Sequence, residues 1–343
     1  MNNLISKQLS EQIGGGASLR FVNSGGAIDT TSLGYRIAID TLTAIRRDVV
    51  EQKFFKIPFA DYVPVVVGEG AFAQSILTNL VISSGEDFEA GNINTAGNNA
   101  RVSTVDAGVT PATIAVINWA KQIGYTIFDI QQAVSASNWD LIEGKARSLK
   151  KNWDLGLQEI SFLGSKTNVA GVPGLLTSKE VNINSSLISK PLSSMTADEL
   201  NGFAEKFLAA CFANSNSTQL PNVLLLPSSD FLGLVNASSA QFPLKSKLQF
   251  LEEAFGKAVS GFQIVHTPYG EANNMKTRGV SATRYVAYNK EVETLRMDVP
   301  VDFTTTAPNS LNNFSFQSVA YGQYTGAKFY RPAEALYFDI NAD

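Results

Sequence analysis

The chain has 343 residues, of which 44% are hydrophobic and only 17% are charged, and its formal net charge is -4. Soluble domains usually carry about 25% charged residues, so this surface must rely on Asn, Ser, Thr, Gln and Gly, which suits extensive protein contact. The acidic balance argues against a dedicated nucleic-acid-binding protein, which normally has a basic excess, but not against a container around nucleic acid. Cys211 is the single cysteine, which excludes an internal disulfide.

The amino-terminal residues predict an arm rather than a targeting segment. The stretch MNNLISKQLSEQ has no apolar core of a signal peptide, and no apolar run reaches the roughly 18 residues of a membrane span. We therefore expect a soluble protein made in the cytoplasm. Residues 1–34 have few large apolar groups and include Gly14–Gly16, which predicts an extended arm. The triple glycine lacks a preceding strand and a nearby lysine, so an arm is favoured over a phosphate cradle.

The next part of the chain changes from helical to β-rich character. Residues 33–55 can be helical in part, and residues 54–67, FFKIPFADYVPVVV, are strand-like. Two Val-, Ile- and Thr-rich stretches at 71–86 and 101–128 flank a polar segment rich in Gly and Asn. This pattern predicts a long hairpin with a polar tip. A hairpin with so little core beneath it needs a neighbouring surface.

The clearest periodic signal runs from Asn138 to Gly164. Asn138 can cap the amino end, no proline interrupts the run, and Gly164 can end it, so we predict a helix of about 25 residues. Asp129 with Gln132 predicts the start of a short helix before it. Apolar positions recur every three or four residues and share one face of the long helix. These positions are Ile142, Ala146, Leu149, Trp153, Leu157, Ile160 and Leu163.

Four basic residues of this helix lie off the apolar stripe: Lys145, Arg147, Lys150 and Lys151. They can face packaged nucleic acid, solvent, or an acidic neighbouring subunit that presents Glu86, Asp87 and Glu89 from the hairpin. Because the net charge is negative, subunit pairing and plain exposure are favoured over contact with nucleic acid. All seven residues are candidates for inter-subunit assembly contacts.

After the long helix the sequence predicts a mixed α/β unit that begins near Leu192. Thr196 and Glu199 form a capping-box pattern ahead of a helix. The apolar runs that follow are short and separated by Gly, Asn or Pro. They predict strands near 223–226, 262–265, 284–288 and 292–297, helices near 231–235 and 248–255, and β-rich stretches at 314–324 and 327–340.

The chain lacks the common catalytic and nucleotide-binding motifs GxGxxG, GxxxxGK[ST], HExxH, CxxC and GxSxG. His266 is the only histidine, so a Ser-His-Asp triad would have to use it, but its place after an apolar run favours a structural imidazole. Cys211 lies on the apolar face of a helix and is predicted to be a core residue. Glu252 and Glu253 point about 100° apart on a helix, which predicts a solvated face. We expect no catalytic residue, cofactor or metal site.

The order of these parts resembles the major capsid proteins of tailed bacteriophages: an arm, a long hairpin, one long helix, a mixed α/β unit and a β-rich return. Two stretches are similar in amino-acid sequence as well, FLGSKTNVAGVPGLLT at Phe162–Thr177 and YRPAEALYFDI at Tyr330–Ile340. The resemblance implies an α+β fold of the Hong Kong 97 type, and it divides the chain into six segments. These are the N-arm at 1–34, the start of the peripheral domain at 35–70, the extended loop and its base at 71–128, the spine helix and peripheral domain at 129–191, the axial domain at 192–288, and the return to the peripheral domain at 289–343.

The resemblance also implies a structural function. It implies self-assembly into pentamers and hexamers of an icosahedral head that encloses double-stranded DNA, with assembly in the bacterial cytoplasm and a final place in the virion capsid. The implied partners are other copies of the chain, DNA held by non-specific contact, portal and decoration proteins, and a separate scaffold protein or none, because few residues precede the arm. No membrane partner and no covalent cross-link between subunits is expected.

Two other functions compete with this reading. An encapsulin nanocompartment shares the fold but holds enzyme cargo in place of a genome. A mixed α/β enzyme that uses His266 or Glu252 belongs to a different class, and the missing motifs disfavour it.

Overall fold

The structure is a computed structural model that describes residues 58–85, 105–135, 141–166, 172–236 and 245–341. The predicted arm, the partly helical stretch at 33–55, the polar tip of the hairpin and Asn138 lie outside these ranges. The described residues combine helices and sheets, so the predicted α+β class is confirmed.

The elements within the described ranges are numbered in chain order. The strands are β1 Val65–Val67, β2 Ser75–Gly85, β3 Val105–Ala115, β4 Ile117–Thr126, β5 Asn182–Asn184, β6 Val223–Pro227, β7 Gln263–Thr267, β8 Ala282–Tyr288, β9 Leu295–Val299, β10 Val301–Thr305, β11 Asn309–Ser310, β12 Ser315–Tyr324, β13 Lys328–Phe329 and β14 Ala335–Asn341. The α-helices are α1 Ile127–Ser135, α2 Leu141–Leu163, α3 Ala197–Asn214, α4 Ser228–Asn236, α5 Lys247–Ala258 and α6 Ala272–Met275. Short 3-10 helices occur at Phe59–Asp61, Leu192–Ser194, Pro268–Gly270, Lys276–Arg278 and Pro332–Glu334.

The chain divides into two compact units. The first contains the described parts of Asn118–Gly156 and Asp302–Gly322. The second contains the described parts of Ile57–Ile117, Leu157–Val301 and Gln323–Asp343. The chain therefore passes from the first unit to the second within helix α2, after Gly156.

Strands β2 and β3 form the predicted hairpin, but its second strand ends at Ala115. The rest of the predicted stretch 101–128 forms β4, which pairs with β12, and the start of α1. The two hairpin strands are joined by antiparallel pairs that run from Ser75 with Ala115 at the base to Gly85 with Val105 at the far end. With 11 residues in each strand and a rise of about 3.4 Å per residue, each strand is roughly 37 Å long. The two strands make a sheet of their own, separate from the three-stranded sheet of β1, β9 and β13.

In the first unit, β12 pairs with β10, β11 and β4. The chain then enters α1 through a reciprocal cap. The Asp129 carboxylate accepts a hydrogen bond from the Thr126 N–H at 2.8 Å, and the Thr126 hydroxyl accepts one from the Asp129 N–H at 3.2 Å. The hydrogen bond that the carboxylate accepts from the Thr126 backbone is the largest cause of the lowered pKa of the Asp129 carboxyl. The predicted helix start at Asp129 with Gln132 was therefore wrong: Thr126 is the cap, and the helix begins at Ile127.

Helix α2 confirms the predicted long helix. Four of the six stripe side chains that the structure describes are buried, as the helical period requires. The stripe residues that are buried are Leu149, Trp153, Leu157 and Leu163.

Trp153 is the centre of an aromatic cluster in the first unit. Its ring centroid lies 5.0 Å from that of Trp119 and 6.4 Å from that of Phe303. A Cβ added at Gly322 would lie 2.5 Å from Trp153 Cη2. The absence of a side chain at Gly322 thus makes room for the indole ring.

The second unit is built on a five-stranded sheet with the order β5-β14-β8-β6-β7. Strand β6 is buried along its whole length, as expected for a central strand covered on both faces. Phe207 of α3 and Phe255 of α5 pack 4.9 Å apart, and Phe207 lies 5.5 Å from Phe338 of β14. Strand β14 thus brings the carboxyl-terminal stretch into the same core as the predicted axial segment.

The local predictions in this unit are mostly confirmed. Thr196 and Glu199 form the predicted capping box of α3, and α4, α5, β6, β7 and β8 lie where the apolar runs placed them. Two stretches differ. In the described part of 54–67 only Val65–Val67 form a strand, and 327–340 is broken by a 3-10 turn at Pro332. Proline supplies no N–H to a ladder and fits the first turn of a helix, which explains both breaks.

Replacing Trp153 with Ala removes a buried ring that Trp119 and Phe303 surround. We expect the free energy of unfolding to fall by about 3–5 kcal/mol, measured by chemical denaturation of unassembled protein. Ser148→Ala changes an exposed residue of the same helix and is expected to stay within about 0.5 kcal/mol of the wild type. Equal denaturation midpoints for the two variants would show that the Trp153 ring carries no core packing.

Candidate assembly site

One face of the β2–β3 hairpin is apolar and open. Side chains alternate along a strand, so Leu77 and Val81 share a face with Val109, which stands opposite Val81. These three side chains are 57%, 68% and 60% exposed. On the other face Ile114 is buried. We call the exposed set of Leu77, Val81 and Val109 the hairpin face.

The hairpin is anchored at its base and open toward its far end. Arg296 donates a hydrogen bond to Thr78 Oγ1 at 3.0 Å, and Lys328 donates one to the Thr113 carbonyl at 3.1 Å. From Asp106 to Pro111, in contrast, every residue is exposed on both faces of the strand. An isolated two-stranded hairpin is marginally stable, and exposed apolar surface of this kind is typical of binding sites.

Two of the predicted basic residues make contacts within the first unit. Lys145 Nζ donates a hydrogen bond to the Gly124 carbonyl at 2.8 Å. Arg147 forms an ion pair with Glu143, one helical turn earlier. Sequence reasoning singled out both basic residues but not these intrachain contacts, although the spacing of Glu143 and Arg147 is the favourable i, i+4 spacing.

The other two basic residues also lie on α2. Lys150 pairs with Asp154 at 3.3 Å and lies over the Phe303 ring, 5.0 Å from its centroid. Lys151 is half-buried. An exposed ion pair contributes about 0–1 kcal/mol to stability. The pair with Asp154 therefore does little to prevent Lys150 from also binding a second chain. The role of these residues in assembly stays a prediction.

The acidic residues of the predicted site, Glu86, Asp87 and Glu89, lie outside the described residues. Their pairing with the basic residues of α2 therefore also stays a prediction.

The carboxyl end of α2 is closed by three glycines. Gly164 ends the helix with a φ of +70°, a conformation that favours glycine. A Cβ on Gly164 would lie 2.6 Å from the Val172 carbonyl oxygen, and a Cβ on Gly174 would lie 2.3 Å from the Gly164 nitrogen. A Cβ on Gly326 would lie 2.3 Å from the Pro173 carbonyl oxygen. Three backbone segments thus approach more closely than any side chain allows.

Arg278 completes this closure. Its Nε donates a hydrogen bond to the Leu163 carbonyl at 3.1 Å, and its Nη2 donates one to the Gly164 carbonyl at 3.0 Å. The same Nη2 lies 3.3 Å from Glu159. The last carbonyls of a helix lack intrahelical partners and carry partial negative charge, so a guanidinium group stabilises this end in both respects.

The two stretches that carry the sequence resemblance contact each other in the second unit. Tyr337 Oη donates a hydrogen bond to the Leu175 carbonyl at 2.6 Å and accepts one from the Ser178 N–H at 3.2 Å. Burial raises the pKa of the Tyr337 phenol above its usual value, so the hydroxyl remains a donor at neutral pH.

A buried ion pair reinforces this contact. Arg284 binds Asp339 through two hydrogen bonds of 2.7 Å, and its Nη1 donates a third to the Leu176 carbonyl at 2.7 Å. Its guanidinium carbon also lies 4.4 Å from the centroid of the Tyr337 ring. Sequence reasoning missed this pair. The signal was available, because Arg284 and Asp339 are opposite charges inside two otherwise apolar strands.

The residues that were considered as catalytic candidates lie in environments typical of structural or surface residues. His266 Nδ1 lies 3.0 Å from the Ser228 hydroxyl, and the imidazole stacks on Phe231 at 4.4 Å, which confirms a hydrogen-bonded imidazole near the end of a strand. Cys211 is buried, and burial raises the pKa of its thiol to about 12. Glu252 and Glu253 are exposed, as predicted.

Within the ranges that the structure describes, no three His, Cys, Asp or Glu side chains group as metal ligands do. None of the helices in these ranges has the length and apolar character needed to cross a membrane.

Solved structures of known proteins share this fold. The capsid of Myoviridae phage XM1 is 14% identical with a TM-score of 0.69, and the match covers 92% of this chain and 100% of that one. The capsid of a native GTA particle is 12% identical with a TM-score of 0.57, covering 93% and 100%. The Microbacterium phage Oxtober96 structure is 10% identical with a TM-score of 0.56, covering 88% and 97%. The predicted Hong Kong 97-type capsid fold is confirmed.

The family follows from the sequence comparison. A model of the family described as major capsid protein matches residues 90–340, well over half of the chain. The chain belongs to this family, as the resemblance to bacteriophage major capsid proteins predicted. The curated proteins contain no match to the chain. The match to a capsid family does not favour the encapsulin alternative.

Replacing Gly326 with Ala places a methyl group against the Pro173 carbonyl. We expect the free energy of unfolding to fall by about 1–3 kcal/mol, since overpacking forces backbone to move. Gly156→Ala is the matched control, because nothing lies within 4 Å of its added Cβ and the helix should gain up to about 1 kcal/mol. Chemical denaturation of both variants measures the difference. A Gly326→Ala protein as stable as the wild type would contradict the described closure.

Proposed function

We propose that this protein self-assembles into the pentamers and hexamers of an icosahedral bacteriophage head that encloses double-stranded DNA. The observation that carries the proposal is the hairpin: residues 106–111 of its second strand are exposed on both faces, and its hairpin face holds three exposed apolar side chains. A strand pair of this length without a core gains its stability from a second chain. The function is accordingly structural rather than enzymatic.

The assembly of identical copies fits both the surface composition and the relatives. Charged residues make up only 17% of the chain, and the cores of protein interfaces are depleted of charge. The GTA capsid with the same fold is described with C5 symmetry, which supports fivefold rings of this chain.

The six segments have proposed roles in the shell. Residues 1–34 form an arm and 71–128 an extended loop, and both reach across neighbouring copies. Residues 129–191 provide the spine, 192–288 the axial domain, and 35–70 with 289–343 the rest of the peripheral domain. The buried five-stranded sheet and its helices give the axial part the rigid core that a ring of subunits requires.

The proposed charged contacts involve the seven predicted assembly residues. Glu86, Asp87 and Glu89 of one copy pair with Lys145, Arg147, Lys150 and Lys151 of another. DNA is held by non-specific contact inside the shell, and portal, decoration and scaffold proteins are partners of the complete head. Assembly takes place in the host cytoplasm.

Electron microscopy of the purified chain tests the assembly. We expect closed shells of uniform diameter, whereas a persistent monomer at concentrations up to the millimolar range would contradict the proposal. Particles isolated from the source virus test the enclosure of DNA. We expect double-stranded DNA that resists DNase until the shell is opened, and shells filled with enzyme and free of DNA would instead support a nanocompartment.

Replacing Val81 with Asp tests the hairpin face. The side chain is exposed in the single chain, so the folded subunit should keep its thermal stability, but a buried unpaired charge at an interface is costly. We expect the yield of shells in sedimentation to fall strongly. Val81→Thr keeps a β-branched shape without a charge and is expected to assemble nearly normally. Full assembly of Val81→Asp would exclude this face from the interface.

A further inference from the structure

A second exposed apolar surface lies in the first unit. Phe128, Leu311 and Phe314 are 66%, 63% and 42% exposed. The rings of Phe128 and Phe314 touch edge to face, with centroids 5.4 Å apart. Exposed aromatic rings in mutual contact form a patch rather than scattered surface residues. We call Phe128, Leu311 and Phe314 the aromatic patch.

The backbone holds the aromatic patch in place. The Ile127 N–H donates a hydrogen bond to the Phe314 carbonyl at 3.0 Å, which ties the start of α1 to the turn between β11 and β12. In that turn the Leu311 N–H donates to the Ser315 carbonyl at 2.9 Å, and the Asn312 side chain accepts from the Ser315 N–H at 3.0 Å. A rigid apolar surface loses little conformational entropy when it binds.

The charges around the patch indicate what covers it. No Asp, Glu, Lys, Arg or His occurs from Phe303 to Ala327, a run of sequence that contains both Leu311 and Phe314. The acidic neighbour of Phe128, Asp129, caps α1 through Thr126, and the Lys145 ammonium lies within Coulombic reach of its carboxylate, so the charges beside the patch are of opposite sign. A surface that meets a copy of itself across a twofold axis brings identical residues together. Like charges placed there would repel, so an uncharged apolar surface is the composition that such a contact requires.

We propose that the aromatic patch meets the same patch of other copies, in a contact that joins one ring of subunits to the next. The inference rests on the proposed shell and specifies a contact within it. Within a pentamer or hexamer, contacts between neighbours are heterologous and join two different surfaces. A contact between like patches therefore links separate rings, and its loss leaves the rings intact while it prevents closed shells.

Opposite charges at Phe314 test this inference. The variants Phe314→Glu and Phe314→Lys are purified separately and then mixed in equal amounts under assembly conditions. We expect each variant alone to lower the yield of shells by about tenfold or more, because like charges face each other repeatedly around the shell. The mixture should restore shells, since Glu then faces Lys. Rings should persist in all samples by native mass spectrometry.

Controls separate folding from assembly. Phe314→Leu keeps the patch apolar and is expected to form shells as the wild type does. Thermal unfolding of the unassembled variants checks that the exposed substitution leaves the fold intact, and the pair Phe128→Glu and Phe128→Lys repeats the experiment from helix α1 if a Phe314 variant fails to fold.

Three results would overturn the inference in distinguishable ways. Normal shells from each charged variant alone would exclude the patch from the contacts. Failure of each variant without rescue in the mixture would show that the patch meets a different surface or a different protein. Failure of the wild type to form shells would reject the proposed function itself, and the inference with it.

Discussion

The second unit depends on how the carboxyl end of helix α2 is closed. Gly164, Gly174 and Gly326 let three stretches of backbone meet at distances that no Cβ tolerates, and Arg278 binds the carbonyls that the helix leaves unpaired. The turn after the helix is thereby held against the stretch that leads into β14. Tyr337 and Arg284 extend the same contact with hydrogen bonds to the backbone at 175–176. The two stretches that carry the sequence resemblance, 162–177 and 330–340, are therefore joined in the core of the second unit.

The well-packed units contrast with the surfaces that the chain leaves uncovered. The sheet of the second unit and its helices bury aromatic rings within one subunit, whereas the hairpin face keeps aliphatic side chains exposed and the aromatic patch keeps two rings exposed. Exposed apolar surface on a soluble chain costs free energy in water that burial recovers. In the proposed shell, other copies of the chain cover these surfaces and recover that free energy.

The sequence predicted those elements whose signals are local. The spacing of Leu149, Trp153 and Leu157 determined helix α2, and Thr196 with Glu199 determined the start of α3. The predicted cap of α1, Asp129, lies three residues after the actual cap, Thr126. Both residues carry a side-chain oxygen that can accept a hydrogen bond, and the sequence pattern does not show which of them caps the helix. The contact of Arg278 with Leu163 spans 115 residues, and no local pattern reveals it. Exposure at Val81 or Phe314 is equally a property of the folded chain, since each lies in an ordinary β-rich stretch.

Hydrogen exchange of the hairpin, measured in unassembled subunits and in closed shells, tests most directly whether the exposed hairpin is covered by assembly. Amides of residues 105–110 should exchange rapidly in the free subunit and far more slowly in the shell, because a second chain then covers them. Amides in the buried part of α2 should be protected in both states and serve as the internal reference. Equally rapid exchange of 105–110 in closed shells would contradict the account.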